Sequence, residues 1–172
     1  MKFQERKVEE MQLQPFQMIG KEWMLITAGT EEKVNTMTAS WGGMGVFWGK
    51  NVMTTYIRPQ RYTKQFVDAN DTFSVCFFNE EYKKMLAYCG KVSGREEDKI
   101  KKAGLTTCFY GETPYFEEAN LVFICKKICE GELNPDLFVD KEADEKWYPN
   151  KDYHRMYMGE ILAVLEKTEE EK

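Results

Sequence analysis

The stretch from Asn35 to Thr63 does most to limit the folds open to this chain. Asn35-Thr36-Met37-Thr38-Ala39-Ser40-Trp41 places Thr36, Thr38 and Ser40 on one side and Met37, Ala39 and Trp41 on the other. That is the two-residue period of a β-strand. Gly42-Gly43-Met44-Gly45 follows as a corner, where glycine permits positive φ. Val52 to Ile57 is rich in β-branched and aromatic residues and reads as the next strand. Pro59 then suits the first turn of a helix over Gln60 to Ala69, with Tyr62, Phe66 and Ala69 at helical spacing.

Further strands are expected at Trp23–Thr30, Thr72–Phe78, Asn120–Leu133 and Arg155–Lys167. The apolar run Thr72–Phe78 reads as buried on both faces. Helices are expected at Glu80–Cys89 and Arg95–Ala103, the latter with Glu96, Glu97 and Asp98 complementing the dipole of its first turn. Gly90 to Gly94 is a loop between them, and Leu137–Tyr148 has mixed, partly helical character. Many strands with few helices predict a mainly β protein, a β-barrel with peripheral helices, rather than an alternating βα repeat. The expectation is one domain over residues 1–172, with a frayed charged tail from Glu166 to Lys172.

Composition narrows the function classes. With 24 Lys and Arg against 29 Asp and Glu, the net charge is −5. Such a balance argues against non-specific nucleic-acid binding, which needs a basic footprint. No apolar run approaches the roughly 20 residues of a membrane span, and Met1 to Arg6 has no apolar core of a secretory signal. A cytoplasmic location without membrane contact is expected. The five cysteines, at 76, 89, 108, 125 and 129, match no disulfide scaffold and read as reduced, buried thiols. Without a paired C-x-x-C motif and with His154 the only histidine, a zinc site has no support.

The chemistry concentrates in a few places. Arg58 leaves a strand, and Arg61 lies in the first turn expected for the following helix. Both arginines, with the Thr63 hydroxyl, suit an anion such as a phosphate carried by a flat aromatic cofactor. On spacing alone, two solvated surface arginines with Tyr62 as packing serve equally well. Thr38 and Ser40 present donors to a ligand or simply face water, and Trp41 is core or a ring wall. Cys89-Gly90-Lys91-Val92-Ser93-Gly94 offers a cation and a hydroxyl without the pattern of a Walker loop. His154 is a proton donor, a substrate contact or a structural residue.

Four segments in order carry a family resemblance: N-T-M-T-A-S-W at Asn35–Trp41, Y-I-R-P-Q-R-Y-T at Tyr56–Thr63, C-G-K-V-S-G-R-E-E-D-K at Cys89–Lys99 and H-R-M-Y-M-G-E-I at His154–Ile161. Together they resemble the flavin reductase-like family of FMN-binding split barrels, near the flavoredoxin branch. The resemblance implies a six-stranded antiparallel split barrel that forms a homodimer with FMN near the subunit interface. It implies that Asn35 and Met37, Thr38, Ala39, Ser40 and Trp41 line the flavin. Arg58, Arg61, Tyr62 and Thr63 would hold its phosphate, and Cys89, Gly90, Lys91 and Ser93 would close over it. His154 would lie where a nicotinamide or substrate approaches. The implied activity is NAD(P)H-dependent flavin reduction, or electron carriage to an acceptor that the sequence does not name. Flavin binding without nicotinamide turnover, or a barrel for another ligand such as haem, are the alternatives. Gly159-Glu160 departs from the Gly-Arg of many flavin reductases.

Overall fold

A computed structural model describes residues 2–168. Its strands are β1 (Lys2–Arg6), β2 (Met24–Thr30), β3 (Lys33–Ala39), β4 (Gly42–Phe47), β5 (Lys50–Ile57), β6 (Thr72–Phe77), β7 (Thr107–Tyr110), β8 (Thr113–Phe116), β9 (Leu121–Glu132) and β10 (Arg155–Thr168). Helices are short: α1 (Pro15–Gln17), which runs into a wider turn at Met18–Glu22, α2 (Thr63–Ala69), α3 (Lys83–Lys91), α4 (Lys99–Lys102) and α5 (Glu142–Trp147). No described helix is long and apolar enough to cross a membrane.

Eight strands form one antiparallel sheet in the order β3-β2-β6-β9-β10-β5-β4, with β1 added along β10, while β7 and β8 pair separately as a hairpin. The two ends of this order, β3 and β4, are consecutive in sequence and joined by Ser40-Trp41 alone. The sheet therefore curls until its edges meet at one corner, giving a barrel that is split elsewhere along that seam.

Alternation along the central strands fills two layers. Met24, Ile26, Met53, Phe73, Phe77, Phe123 and Tyr157 point into the barrel. Leu25, Cys76, Val122 and Ile124 point outward and are covered by Leu86 and Cys89 of α3 and by Phe116 of β8. The covering layer fixes α3 against the back of β3, which places the end of α3 beside the seam.

All six expected strands are present, and the antiparallel split barrel holds. The sheet has eight strands rather than six because β1 and β4 were not anticipated. Gly42 to Gly45, read as a corner, belongs to β4, paired with β5 from Gly42↔Thr55 to Phe47↔Lys50. Its turn is Trp48-Gly49, both at positive φ (53° and 69°), the geometry that a two-residue hairpin loop requires. Thr36, grouped by alternation with Thr38 and Ser40, is buried and bonded to Thr27 Oγ1 at 2.8 Å. Helix α2 starts at Thr63, not Gln60, so Arg61 sits in the preceding turn. Residues Arg95–Asp98 stay outside α4, whose N-cap is Asp98, accepting from the Lys101 N–H. Glu166 to Thr168 remain in β10 instead of fraying, and Glu169–Lys172 lie outside the described residues. All five cysteines are free, but Cys108 and Cys129 are only half-buried.

Gly159 shows how tightly β10 packs on the core. A Cβ there would stand 2.7 Å from Cys125 Cβ and 2.8 Å from Phe73 Cζ. Gly159→Ala is expected to lower stability by about 1–3 kcal/mol through overpacking, read as a fall in the urea midpoint with an unchanged slope.

Candidate functional site

A cleft of about 250 Å³ opens at the seam, lined by Met37, Thr38, Ala39, Ser40, Trp41, Tyr56, Arg58, Arg61 and His154. Strand β3 gives the first three, the β3–β4 connection gives Ser40 and Trp41, and the end of β5 gives Tyr56 and Arg58. His154 stands just before β10, directly across from that end, since Arg155 pairs with Ile57. Trp41 and Tyr56 also line a larger trough of about 670 Å³ on their far side. That trough is bounded by Phe16, Ile19, Met44, Leu133 and Tyr148 and has no charged side chain on its walls.

The two arginines do different things. Arg58 is an internal tie: Nη1 meets Asp152 Oδ2 at 2.7 Å, Nη2 donates to the Trp147 carbonyl at 2.8 Å, and the guanidinium lies 5.1 Å from the Tyr148 ring centre. Gln60 and Arg58 together hold the Asp152 carboxyl below its ordinary range. Arg61, in contrast, has no ion-pair partner among the described residues. Its Nη1 donates to the Gly90 carbonyl at 2.8 Å, and burial pulls its pKa down.

Lys99 joins Arg61 at the end of α3. It is 3% exposed, yet its ammonium meets only carbonyls, Cys89 O at 2.9 Å and Val92 O at 3.0 Å. Burial first, with Arg61 adding to it, brings its pKa down to about 8. Two cations thus cap the carbonyl end of a helix, where the helix dipole favours positive charge. Neither is balanced by a carboxylate ion pair among the described residues.

Not every expected site residue reaches the cleft. Asn35 and Thr63 are buried and bonded to each other, Asn35 Nδ2 to Thr63 Oγ1 at 2.8 Å. Tyr62 faces a neighbouring polar hollow, between Lys33 and the Arg95 guanidinium 4.5 Å from its ring. The Cys89 thiol is buried under α3, and its pKa is raised mainly by burial. Gly90 packs on Thr38, close enough that a Cβ would come within 3.3 Å of Thr38 Cβ. Lys91 is exposed at the end of α3, and Ser93 Oγ accepts from the Arg95 N–H, so both are beside the seam rather than in it. Thr38 donates to the Leu86 carbonyl at 2.5 Å and is committed to holding α3. Glu160 is paired with Lys50 at 2.6 Å, away from the cleft.

Tyr56, Tyr148, Asp152 and Lys99 were not singled out by sequence. Tyr56 stood inside a quoted motif, and Lys99 ended one. For Tyr148 and Asp152 the decisive contacts come from a loop that has no periodic signal.

His154 is 8% exposed, with its ring 5.0 Å from that of Trp41 and its Nδ1 2.9 Å from the Tyr148 hydroxyl. Burial, then the nearby Arg58 charge, pushes its pKa down to about 4 against the weaker pull of Asp152. The ring is neutral at physiological pH.

The sequence matches the family described as "Flavin reductase like domain" over residues 17–172. The chain belongs to that family. Comparison with curated proteins gave no match. Solved structures with the same fold include a flavoredoxin from Methanosarcina acetivorans (23% identity, 87% of this chain and 69% of that one, TM-score 0.65). Another is the flavoredoxin of Desulfovibrio vulgaris (20%, 96% and 76%, 0.66). A third is an FMN-binding protein from Thermus thermophilus with bound 1-cyclohex-2-enone (21%, 94% and 80%, 0.65).

The depressed His154 pKa has a signed consequence. Between about pH 6.5 and 4 the unfolded chain takes up a proton that the folded ring refuses. The associated stability is present above pH 6.5 and is lost as pH falls toward 4. Urea midpoints measured from pH 7 to 4.5 should fall more steeply for the wild type than for His154→Gln; parallel curves would contradict the assignment.

Proposed function

We propose that the seam cleft holds FMN and that the protein is an NAD(P)H-dependent flavin oxidoreductase or a flavoredoxin-like electron carrier acting as a homodimer. One observation carries this reading: the cleft joins an apolar strand face to an arginine that has no carboxylate partner among the described residues. Met37 and Ala39 offer a floor for a flat ring, and Trp41 offers a wall. Arg61 offers a charged fork to an anionic tail, at modest cost because its present bond is to a neutral carbonyl. Gly90 gives that tail backbone rather than a side chain to pass. The residues present therefore fit a flavin mononucleotide. The family and the two flavoredoxins and FMN-binding protein of like fold support the same reading.

A bound flavin would supply the redox chemistry, accepting two electrons from a reduced nicotinamide and releasing them to a second acceptor. The chain's own residues bind, orient and exclude water. His154, neutral and facing the cleft, offers a hydrogen bond to whatever approaches the ring. Arg58 keeps the loop that carries Tyr148 and His154 against the end of β5.

Dimerisation has its own support. The cleft's 250 Å³ falls below the usual ligand pocket of about 300–1,000 Å³, so one protomer alone leaves a flavin partly uncovered. Beside it stand Trp41 and Trp147, 38% and 45% exposed with their rings 5.1 Å apart, and exposed aromatic side chains of this kind suit an interaction surface.

FMN titrated into the protein should bind with perturbed visible absorption. Arg61→Ala should weaken binding by about 1–3 kcal/mol, the scale of a charge-assisted hydrogen bond, and Arg58→Ala should weaken it through the displaced loop. Unchanged affinity in both variants would remove the phosphate assignment. NADH or NADPH oxidation no faster than with free FMN, with flavin retained, would leave a flavin-binding protein without nicotinamide turnover. Sedimentation of the FMN-loaded protein should give a dimer, and a monomer would overturn that part.

A further inference from the structure

We propose that Tyr148 is a positioning residue that locks His154 as an Nε2–H donor, so that the cleft selects ligands presenting a hydrogen-bond acceptor such as a carbonyl oxygen. The Tyr148 hydroxyl oxygen lies 2.9 Å from His154 Nδ1 and also faces the His154 backbone N–H, and no other described residue offers its O–H an acceptor. Tyr148 is itself 5% exposed. If Nδ1 carried the proton, the phenol O–H would be buried without an acceptor, an arrangement that folded proteins avoid. The phenol therefore donates to Nδ1, and the proton of the neutral imidazole sits on Nε2.

The direction of the ring follows. Nδ1 turns toward Tyr148, which belongs to the apolar trough and not to the cleft wall, while the ring itself lines the cleft. The opposite ring edge, with Nε2, is the one the cleft meets, and no described residue bonds to that nitrogen. A ligand atom placed there meets a donor. A carbonyl oxygen is matched, and an ammonium group is not.

Tyr148 is well held for this task. The Arg58 guanidinium lies over its ring, Tyr153 packs 5.0 Å away, and its backbone N–H closes the end of α5 on the Asp144 carbonyl at 2.9 Å. Trp41 packs on the other ring of the couple.

The role given to the ligand rests on the FMN reading above, but the state of the histidine does not. His154 is the only histidine in the chain, so nitrogen NMR of ¹⁵N-imidazole-labelled protein reports on it without assignment. In the wild type, with or without FMN, the spectrum should show one neutral tautomer, with Nε2 protonated and Nδ1 bare. The Nδ1–H tautomer, or an even mixture, would overturn the proposal with no variant needed. In Tyr148→Phe the single tautomer should give way to a mixture while FMN affinity stays within about twofold, because Tyr148 is not on the cleft wall; an unchanged single tautomer would refute the positioning role. In FMN-loaded wild type, cyclohexanone, which can only accept, should move the Nε2 resonance. Cyclohexylammonium, of similar shape but only a donor, should not. The reverse pattern, or no response to cyclohexanone at its solubility limit, would overturn the selectivity. Failure to bind FMN is seen separately by absorption and would end the FMN reading while leaving the tautomer measurable.

Discussion

The two edges of the main sheet are neighbours in sequence. Strand β3 ends at Ala39, β4 begins at Gly42, and only Ser40 and Trp41 lie between them. An exposed sheet edge is a row of unpaired backbone groups and a liability in solution. Here the short link forces both edges to one corner and closes the sheet into a barrel without joining them by hydrogen bonds. The seam is a consequence of that closure, and the cleft is the seam. Met37, Thr38 and Ala39 reach it because β3 is an edge. Tyr56 and Arg58 reach it because β5 lies next to the other edge.

What keeps the seam open is the layer behind it. Helix α3 packs Leu86 and Cys89 outside the barrel, receives the Thr38 hydroxyl at Leu86, and ends where Arg61 and Lys99 meet the carbonyls of Cys89, Gly90 and Val92. A buried lysine is costly unless its donors are satisfied, and a helix end is costly unless its carbonyls are. Each answers the other. Arg61, which satisfies the Gly90 carbonyl at that helix end, also brings positive charge without a carboxylate partner among the described residues to the cleft, so the fold's own capping arrangement sets the electrostatic character of the site.

Much of the barrel is legible because its inner strands carry strong period-two or wholly apolar patterns, as in Thr72–Phe77 and Leu121–Cys125. The strands that escaped are those without such a pattern. In β4, three glycines hide the alternation, and β1 is polar and pairs only along β10. Helix starts were misplaced by a few residues because tertiary contacts, such as Asn35 to Thr63, decide where the chain turns. The cleft was readable through its motifs, yet motif membership did not distinguish wall from support. Thr38 and Arg61 reach the cleft, whereas Thr63, Cys89 and Ser93 brace what surrounds it. The Tyr148–His154 contact joins residues of an irregular loop, where no periodicity exists to announce it.

The arginines show why support and wall must be separated by energy as well as distance. Both line the cleft, and on sequence they are equivalent. Recruiting Arg58 to an anion would take it from Asp152, whose Oδ1 is already buried without a partner. Stripping this part-buried carboxylate of its charged donor offsets much of what one charge-assisted contact to an anion would return. It would also release the Trp147 carbonyl and unsettle the loop holding Tyr148 and His154. Arg61 gives up only a bond to the Gly90 carbonyl, and Lys99 remains at the same helix end to hold the neighbouring carbonyls. An anion in the cleft is therefore drawn to Arg61, while Arg58 serves best by staying where it is.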